Sequence, residues 1–212
     1  MTTWDLQQKI HNAVSNKLRA GMTENELADV IREVCPDFAG DLISGKRTAE
    51  IEGGPTDKVI EKGDVVMLDL QVLEGGQWSD LTRVYFIGEA DAEKQNAYHS
   101  VENALKAGEA LLCPGTKAKD IWYKMREAIG TEYAFNHHGG HRIGTEDVVA
   151  EPRFVPECED TLKEGMIVTL EPAVYVPDKF GIRLENNYLI TKDGYMRLCG
   201  LPLEITDYIL EG

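Results

Sequence analysis

Gly63-Asp64-Val65-Val66-Met67-Leu68-Asp69 and Trp78-Ser79-Asp80-Leu81-Thr82-Arg83 are two short runs separated by Gly75-Gly76, and together they predict a β-hairpin over residues 64–88. The first run is apolar until it ends in a carboxylate, Asp69. The second opens on another carboxylate, Asp80, eleven positions later. A buried strand should carry Val or Ile where Asp69 stands. An ionised carboxylate in that place is costly unless it is paired or bound to a metal, so the hairpin calls for a cation.

The composition narrows what the cation can serve. The chain has 212 residues and a formal net charge of -15, which argues against electrostatic binding to nucleic acid or to anionic membranes. No run of eighteen apolar residues offers a membrane span, and Met1 to Ile10 lacks the pattern of a signal peptide. Cys35, Cys113, Cys158 and Cys199 lie far apart with no CxxC pair, as expected for free thiols in a reducing cytoplasm.

Outward from the hairpin, apolar spacing predicts helices over 4–19, from Thr23 to Pro36, from Asp91 to about Leu112, and from a Thr116 cap through Ile129. Thr23 and Glu26 have the spacing of a capping box. Residues 131–160, rich in Gly, His and Pro, read as irregular strand and loop. The chain also repeats itself. Lys62-Gly63-Asp64-Val65-Val66-Met67-Leu68-Asp69 parallels Glu164-Gly165-Met166-Ile167-Val168-Thr169-Leu170-Glu171, and a second predicted strand with its own carboxylate, Asp80 or Glu185, follows each. The expectation is one pseudo-symmetric α+β domain over residues 1–212, with four carboxylates around its pseudo-two-fold axis.

Four carboxylates converging in a buried site repel one another unless cations compensate. Two divalent metals would do so, with His141, in Gly139-Gly140-His141-Arg142-Ile143-Gly144, as a nitrogen ligand. An oxygen-rich site with one imidazole suits Mn, Fe, Co or Zn. Ions bridged at about 3.5 Å with a hydroxide between them are the arrangement of two-metal hydrolysis. Singly, Asp69 reads sooner as an edge-strand, turn-forming or salt-bridge residue than as a ligand, and His141 sooner as a surface or packing histidine. The matched set is what points to metal.

These motifs, with Ser44-Gly45, Pro55-Thr56-Asp57, Leu170-Glu171-Pro172 and Arg183-Leu184-Glu185, resemble in order and spacing the pita-bread metallopeptidases: methionine aminopeptidase, Xaa-Pro aminopeptidase, prolidase and the related creatinase. The resemblance spans nearly the whole chain. It implies a curved antiparallel sheet covered by helices, without the N-terminal domain of prolidases, and a homodimer. It implies Asp69, Asp80, His141, Glu171 and Glu185 as ligands of two divalent ions, manganese foremost, with cobalt, iron or zinc as alternatives. Asp80 and Glu185 would bridge, Thr82 would support the ligands, and Glu171 would handle a proton while a metal-bound hydroxide attacks a peptide or amide carbonyl. His137, Tyr175 and Arg183 match the Xaa-Pro-cleaving branch and would position a small peptide.

The departures bear on the chemistry. Where the family's peptidases carry Pro-His before the first Asp ligand, this chain has Ile51-Glu52. Where they carry a histidine seven residues after the ligand histidine, position 148 is Val, with Glu151-Pro152 nearby. Removing two donors from the developing oxyanion weakens transition-state stabilisation by a few kcal/mol in comparable sites. Glu52 reads either as a substitute acid/base or contact for a cationic substrate group, or as a surface carboxylate. His137 and His138 read either as site residues or as a solvated loop. Three functions follow: a metal-dependent peptidase; a family member doing other chemistry on a small molecule, such as C–N hydrolysis or a lyase reaction, with iron as one choice of metal; and a non-catalytic binding module, which the retention of all five candidate ligands disfavours.

Overall fold

Strands β1 (Ala39–Ser44), β2 (Val65–Glu74) and β3 (Gln77–Ile87) form the antiparallel core of the first half in the computed structural model, which describes residues 1–211. The predicted hairpin is β2–β3. It turns at Gly75 and Gly76, whose φ values of 59° and 79° are the positive pair that a tight hairpin turn demands.

The unbroken apolar run of β2 has a simple cause: helices cover the strand on both faces. Val66, Leu68 and Leu70 join α1 (Thr3–Lys17) and α2 (Glu24–Arg32) in one core cluster. Val65 and Met67 join α3 (Ala92–Glu109) and α4 (Ala118–Ile129) in another. Side chains alternate along a strand, so the next residues on the second face are Asp69 and Gln71, and there the apolar cover gives way to a polar cleft.

The helix signals mostly hold. Thr23 and Glu26 make the expected capping box, and Asp91 caps α3 by accepting from the Lys94 amide at 2.9 Å. A second capping box, Thr2 with Asp5, starts α1. Thr116 does not cap α4. Lys117 holds the cap position with no side-chain bond, because backbone carbonyls of a neighbouring loop meet the helix's first free amides: Ala118 donates to Asp160 at 2.9 Å and Lys119 to Cys158 at 3.2 Å.

The second half contains β4 (His141–Arg142), β5 (Ala150–Arg153), β6 (Ile167–Leu170), β7 (Ala173–Val176), β8 (Phe180–Arg183), β9 (Asn186–Thr191) and β10 (Gly194–Arg197). They form a five-stranded sheet in the order β10-β9-β6-β4-β5 and a separate β7–β8 ribbon, while β11 (Ile209–Leu210) closes the first sheet by pairing in parallel with β3. The apolar stretch over 165–176 is therefore two strands, broken at Glu171-Pro172. Glu185 lies in the link between β8 and β9 rather than within a strand. The β6–β9 register ends at Leu170 opposite Asn186, so Glu171 and Glu185 stand at the next opposed position.

The two sheets join across the pseudo-two-fold axis. The Glu185 amide donates to the Thr82 carbonyl at 3.2 Å, and the Asp80 amide donates to Asn187 Oδ1 at 3.2 Å while Asn187 Nδ2 donates back to the Asp80 carbonyl. The predicted curved sheet is thus two ladders that meet at the candidate site. Among the described residues no helix is long and apolar enough to cross a membrane, and all four cysteines are free thiols.

Candidate metal centre

Asp69, Asp80, His141, Glu171 and Glu185, drawn from both halves, are all buried and adjacent. One donor atom each from Asp80, His141 and Glu185 lies within 4.8 Å of the other two. His141 Nε2 is 3.5 Å from Asp80 Oδ2 and 3.6 Å from Glu171 Oε1. The other ring nitrogen, Nδ1, stands 3.1 Å from the Arg142 carbonyl. A carbonyl can only accept, so Nδ1 carries the proton and Nε2 turns a lone pair toward the carboxylates.

Glu185 is held from both sheets. Thr82 Oγ1 donates to its Oε2 at 2.9 Å and Thr169 Oγ1 donates to its Oε1. Its backbone carbonyl accepts from the buried guanidinium of Arg83 at 2.7 Å. The support expected of Thr82 is therefore present, and Thr169 duplicates it from the other half.

The loop that carries His141 is fixed by backbone contacts. The Glu171 amide donates to the Gly139 carbonyl at 2.9 Å, and the Gly139 amide donates to the Phe154 carbonyl at 2.8 Å. Gly140 has a φ of 148°, and a Cβ there would lie 2.1 Å from the Thr169 carbonyl oxygen. Only glycine allows the loop to approach β6 this closely.

Asp69 accepts from Arg183 Nη1, and Arg183 Nη2 donates to the Ile51 carbonyl and, at 2.7 Å, to the Tyr175 hydroxyl. The Tyr175 and His137 rings lie 5.6 Å apart. Asp69, Asp80, His137, His141, Glu171, Arg183 and Glu52 all line one cleft of about 270 Å³. Tyr175 and Glu185 do not line it; they act on it through Arg183 and through the neighbouring ligands. Glu52 borders this cleft as an exposed residue and His137 as a half-buried one.

Gln71 and Asp41 also line the cleft and were not anticipated, while His138, read beforehand as either a site residue or a solvated loop, lines it as well. Gln71 donates from Nε2 to Asp80 Oδ2 at 3.3 Å, and its position two after Asp69 on one strand face was a usable signal. Asp41 stands opposite Asp69 in the β1–β2 register and accepts from the Gly53 amide at 2.9 Å. His138 Nδ1 lies 3.3 Å from Glu171 Oε1. Val148, where the resemblance would place a histidine, does not line the cleft, whereas its neighbour Val149 does.

The electrostatics favour a bound cation. Burial, then the neighbouring carboxylates, pushes Asp80 and Glu185 well above the usual carboxylate range. Burial works against the charge on Glu171 as well, but the adjacent His138 imidazole outweighs it and holds this carboxyl low. Burial depresses His137 to about 3, leaving its ring neutral. Asp80 Oδ1 and Glu171 Oε1 are buried without any hydrogen-bond partner. Orphaned carboxylate oxygens beside an imidazole lone pair are what divalent ions satisfy, and the donor set fits them.

The profile of Metallopeptidase family M24 matches residues 4–192, and the chain belongs to this family. It is 34% identical over 212 residues to the Xaa-Pro dipeptidase of Pyrococcus horikoshii, covering 95% of this chain and 60% of that protein. Among solved structures it resembles the prolidase from Pyrococcus furiosus, with a TM-score of 0.90 and 31% identity over 94% of this chain and 62% of that one. It also resembles the dipeptidase PepE from Mycobacterium ulcerans, with a TM-score of 0.92 and 28% identity over 99% of this chain and 58% of that one. The fold is therefore the pita-bread fold that the motifs implied. The chain spans about three fifths of the length of these relatives.

Proposed function

We infer that this chain is a metal-dependent hydrolase that cuts a peptide bond in small substrates of the Xaa-Pro class. The observation that carries the reading is the convergence of Asp69, Asp80, His141, Glu171 and Glu185, two of them with orphaned buried oxygens. These five would hold two divalent ions, manganese foremost. When bound, such ions lower the pKa of a water and polarise a substrate carbonyl.

The chain's own residues supply the rest. Glu171, whose Oε1 is buried without a hydrogen-bond partner, would take a proton from attacking water and return it to the leaving nitrogen. The neutral His137 ring, beside Tyr175, offers a hydrogen bond to substrate without a charge to desolvate. Arg183 holds Asp69 in place and joins it to Tyr175. The same proposal has the chain act as a single catalytic unit in a cytoplasmic homodimer.

A second reading rests on a specific feature, the presence in the cleft of Glu52, where the peptidase pattern expects an imidazole, together with Asp41 and Val149 and no further histidine after His141. It keeps the metal pair and turns it to a small molecule carrying a cationic group, by C–N hydrolysis or a lyase reaction.

A substrate panel with manganese-loaded protein separates the two. Turnover of Xaa-Pro dipeptides, with small amidines and sulfonium compounds inert, supports the first reading. The reverse pattern overturns it in favour of the second.

A further inference from the structure

Three buried polar atoms with no partner lie together at one wall of the cleft: His137 Nε2, His138 Nδ1 and Glu171 Oε1. One donor atom from each of these residues lies within 4.8 Å of the others, and this group is separate from that of Asp80, His141 and Glu185. His138 Nδ1 and Glu171 Oε1 approach to 3.3 Å without making a hydrogen bond. A buried donor or acceptor left unmatched costs about 1–3 kcal/mol. The metal pair proposed above would answer Glu171 Oε1, but the two imidazole nitrogens beside it remain unmatched and mark ground prepared for something absent from the protein alone.

We propose that His137, His138 and Glu171 form an additional, imidazole-rich metal site that takes a late first-row ion of the Zn2+ class. Two imidazole nitrogens and one carboxylate oxygen, with room for water at the fourth position, are the donor set of open tetrahedral zinc sites. The neighbouring group has two carboxylates and one imidazole, and so favours harder ions such as Mn2+. The chain thus carries two adjoining sites of different metal preference.

The scaffold of the second site is rigid. Trp122 Nε1 donates to the His137 carbonyl at 3.1 Å, and the Phe135 ring lies 5.8 Å from that of His137. Gly139, the residue after the pair, accepts from the Glu171 amide at 2.9 Å, which ties the backbone of the two histidines to that of their carboxylate partner. A Cβ at Gly139 would fall 2.2 Å from Met125 Cε, so this loop sits hard against α4. An ion there would also engage His137, the residue proposed to orient substrate, and excess zinc should therefore inhibit the manganese enzyme.

The site shares Glu171 with the proposed metal pair, and so rests on that reading at one ligand. The test is a Zn2+ titration of chelator-stripped, Mn2+-reloaded protein by calorimetry and native mass spectrometry, with zinc-edge X-ray absorption of the product. Wild type should bind one more zinc ion than His138→Ala and His138→Gln, while the manganese content of all three stays the same. The absorption spectrum should show two imidazoles on the added zinc. Equal zinc stoichiometry and affinity in wild type and in either folded variant would overturn the proposal. Asp80→Ala separates the two readings: the extra zinc kept supports this site whether manganese is lost or retained, and retained manganese overturns only the assignment of the metal pair. Loss of the extra zinc along with the manganese, with His138→Gln unchanged, counts against it.

Discussion

Arg183, the last residue of β8, donates from Nη1 to Oδ2 of Asp69 in the middle of β2, across 114 positions of sequence. The same guanidinium reaches the Tyr175 hydroxyl and the Ile51 carbonyl. Burial opposes the charge on Arg183, but Tyr175, Asp69 and Glu171 outweigh it and keep the group protonated. One planar fork thus sets the orientation of a candidate ligand and of a candidate substrate contact together.

Arg183→Lys keeps the charge but not the fork. A hydrogen bond to a charged group contributes about 1.5–3 kcal/mol, so kcat/KM should fall roughly 10- to 100-fold. Steady-state kinetics with parallel metal analysis checks this. A variant with wild-type kcat/KM would show that Asp69 needs no such anchor.

Asp80→Ala removes the carboxylate nearest His141 Nε2, and should abolish divalent-metal binding and turnover together. Metal content by mass spectrometry and the rate on Xaa-Pro dipeptides are the two readouts. Full metal content with full rate would refute the ligand assignment.

Thr82→Val deletes the hydroxyl that donates to Glu185 Oε2, at nearly constant volume. Partners that orient metal ligands typically contribute 10- to 100-fold in affinity. The expected outcome is a rise of that size in the manganese Kd, with the fold intact by circular dichroism. Thr169→Val should behave alike, because it holds the other oxygen of the same carboxylate.

His11 provides a pH prediction away from the centre. It is fully buried in α1, its Nδ1 lies 2.8 Å from the Tyr85 hydroxyl, and burial, with a smaller contribution from Arg83, lowers its pKa to about 3. The unfolded chain binds this proton more tightly, near pH 6.5. Stability from the neutral ring is therefore fully present above about pH 6.5 and is lost as pH falls toward about 3, at roughly 1.4 kcal/mol per unit. Between pH 7.5 and 5.5, urea denaturation should show wild type losing about 1.4 kcal/mol more than His11→Gln. Equal losses would mean that His11 titrates normally in the folded protein.

Much of the site was legible before folding, for reasons of residue type. A carboxylate at the end of an apolar run is costly wherever the run is buried, so Asp69 and Glu171 declared themselves, and the repeat of Lys62–Asp69 in Glu164–Glu171 tied them together. Strand alternation held as well: both faces of β2 are covered, and Asp69 follows Val65 and Met67 on the face that meets the second half. Irregular segments were less legible. Nothing in the periodicity of residues 131–160 says which of two successive valines faces the cleft, and the structure selects Val149. Thr116 had the residue type of a cap but not the need, since the carbonyls of Cys158 and Asp160 had already met the amides of α4.

The hairpin over 64–88, the two-fold repeat and the set of candidate metal-ligand types were determined by the sequence alone, because alternation, turn chemistry and the cost of a buried charge are local properties. Only the tertiary structure decided that Arg183 locks Asp69, that Thr82 and Thr169 share Glu185, and that His138 faces Glu171. Each of these contacts joins elements remote in sequence or depends on the path of an irregular loop, and neither is encoded in any local pattern of residues.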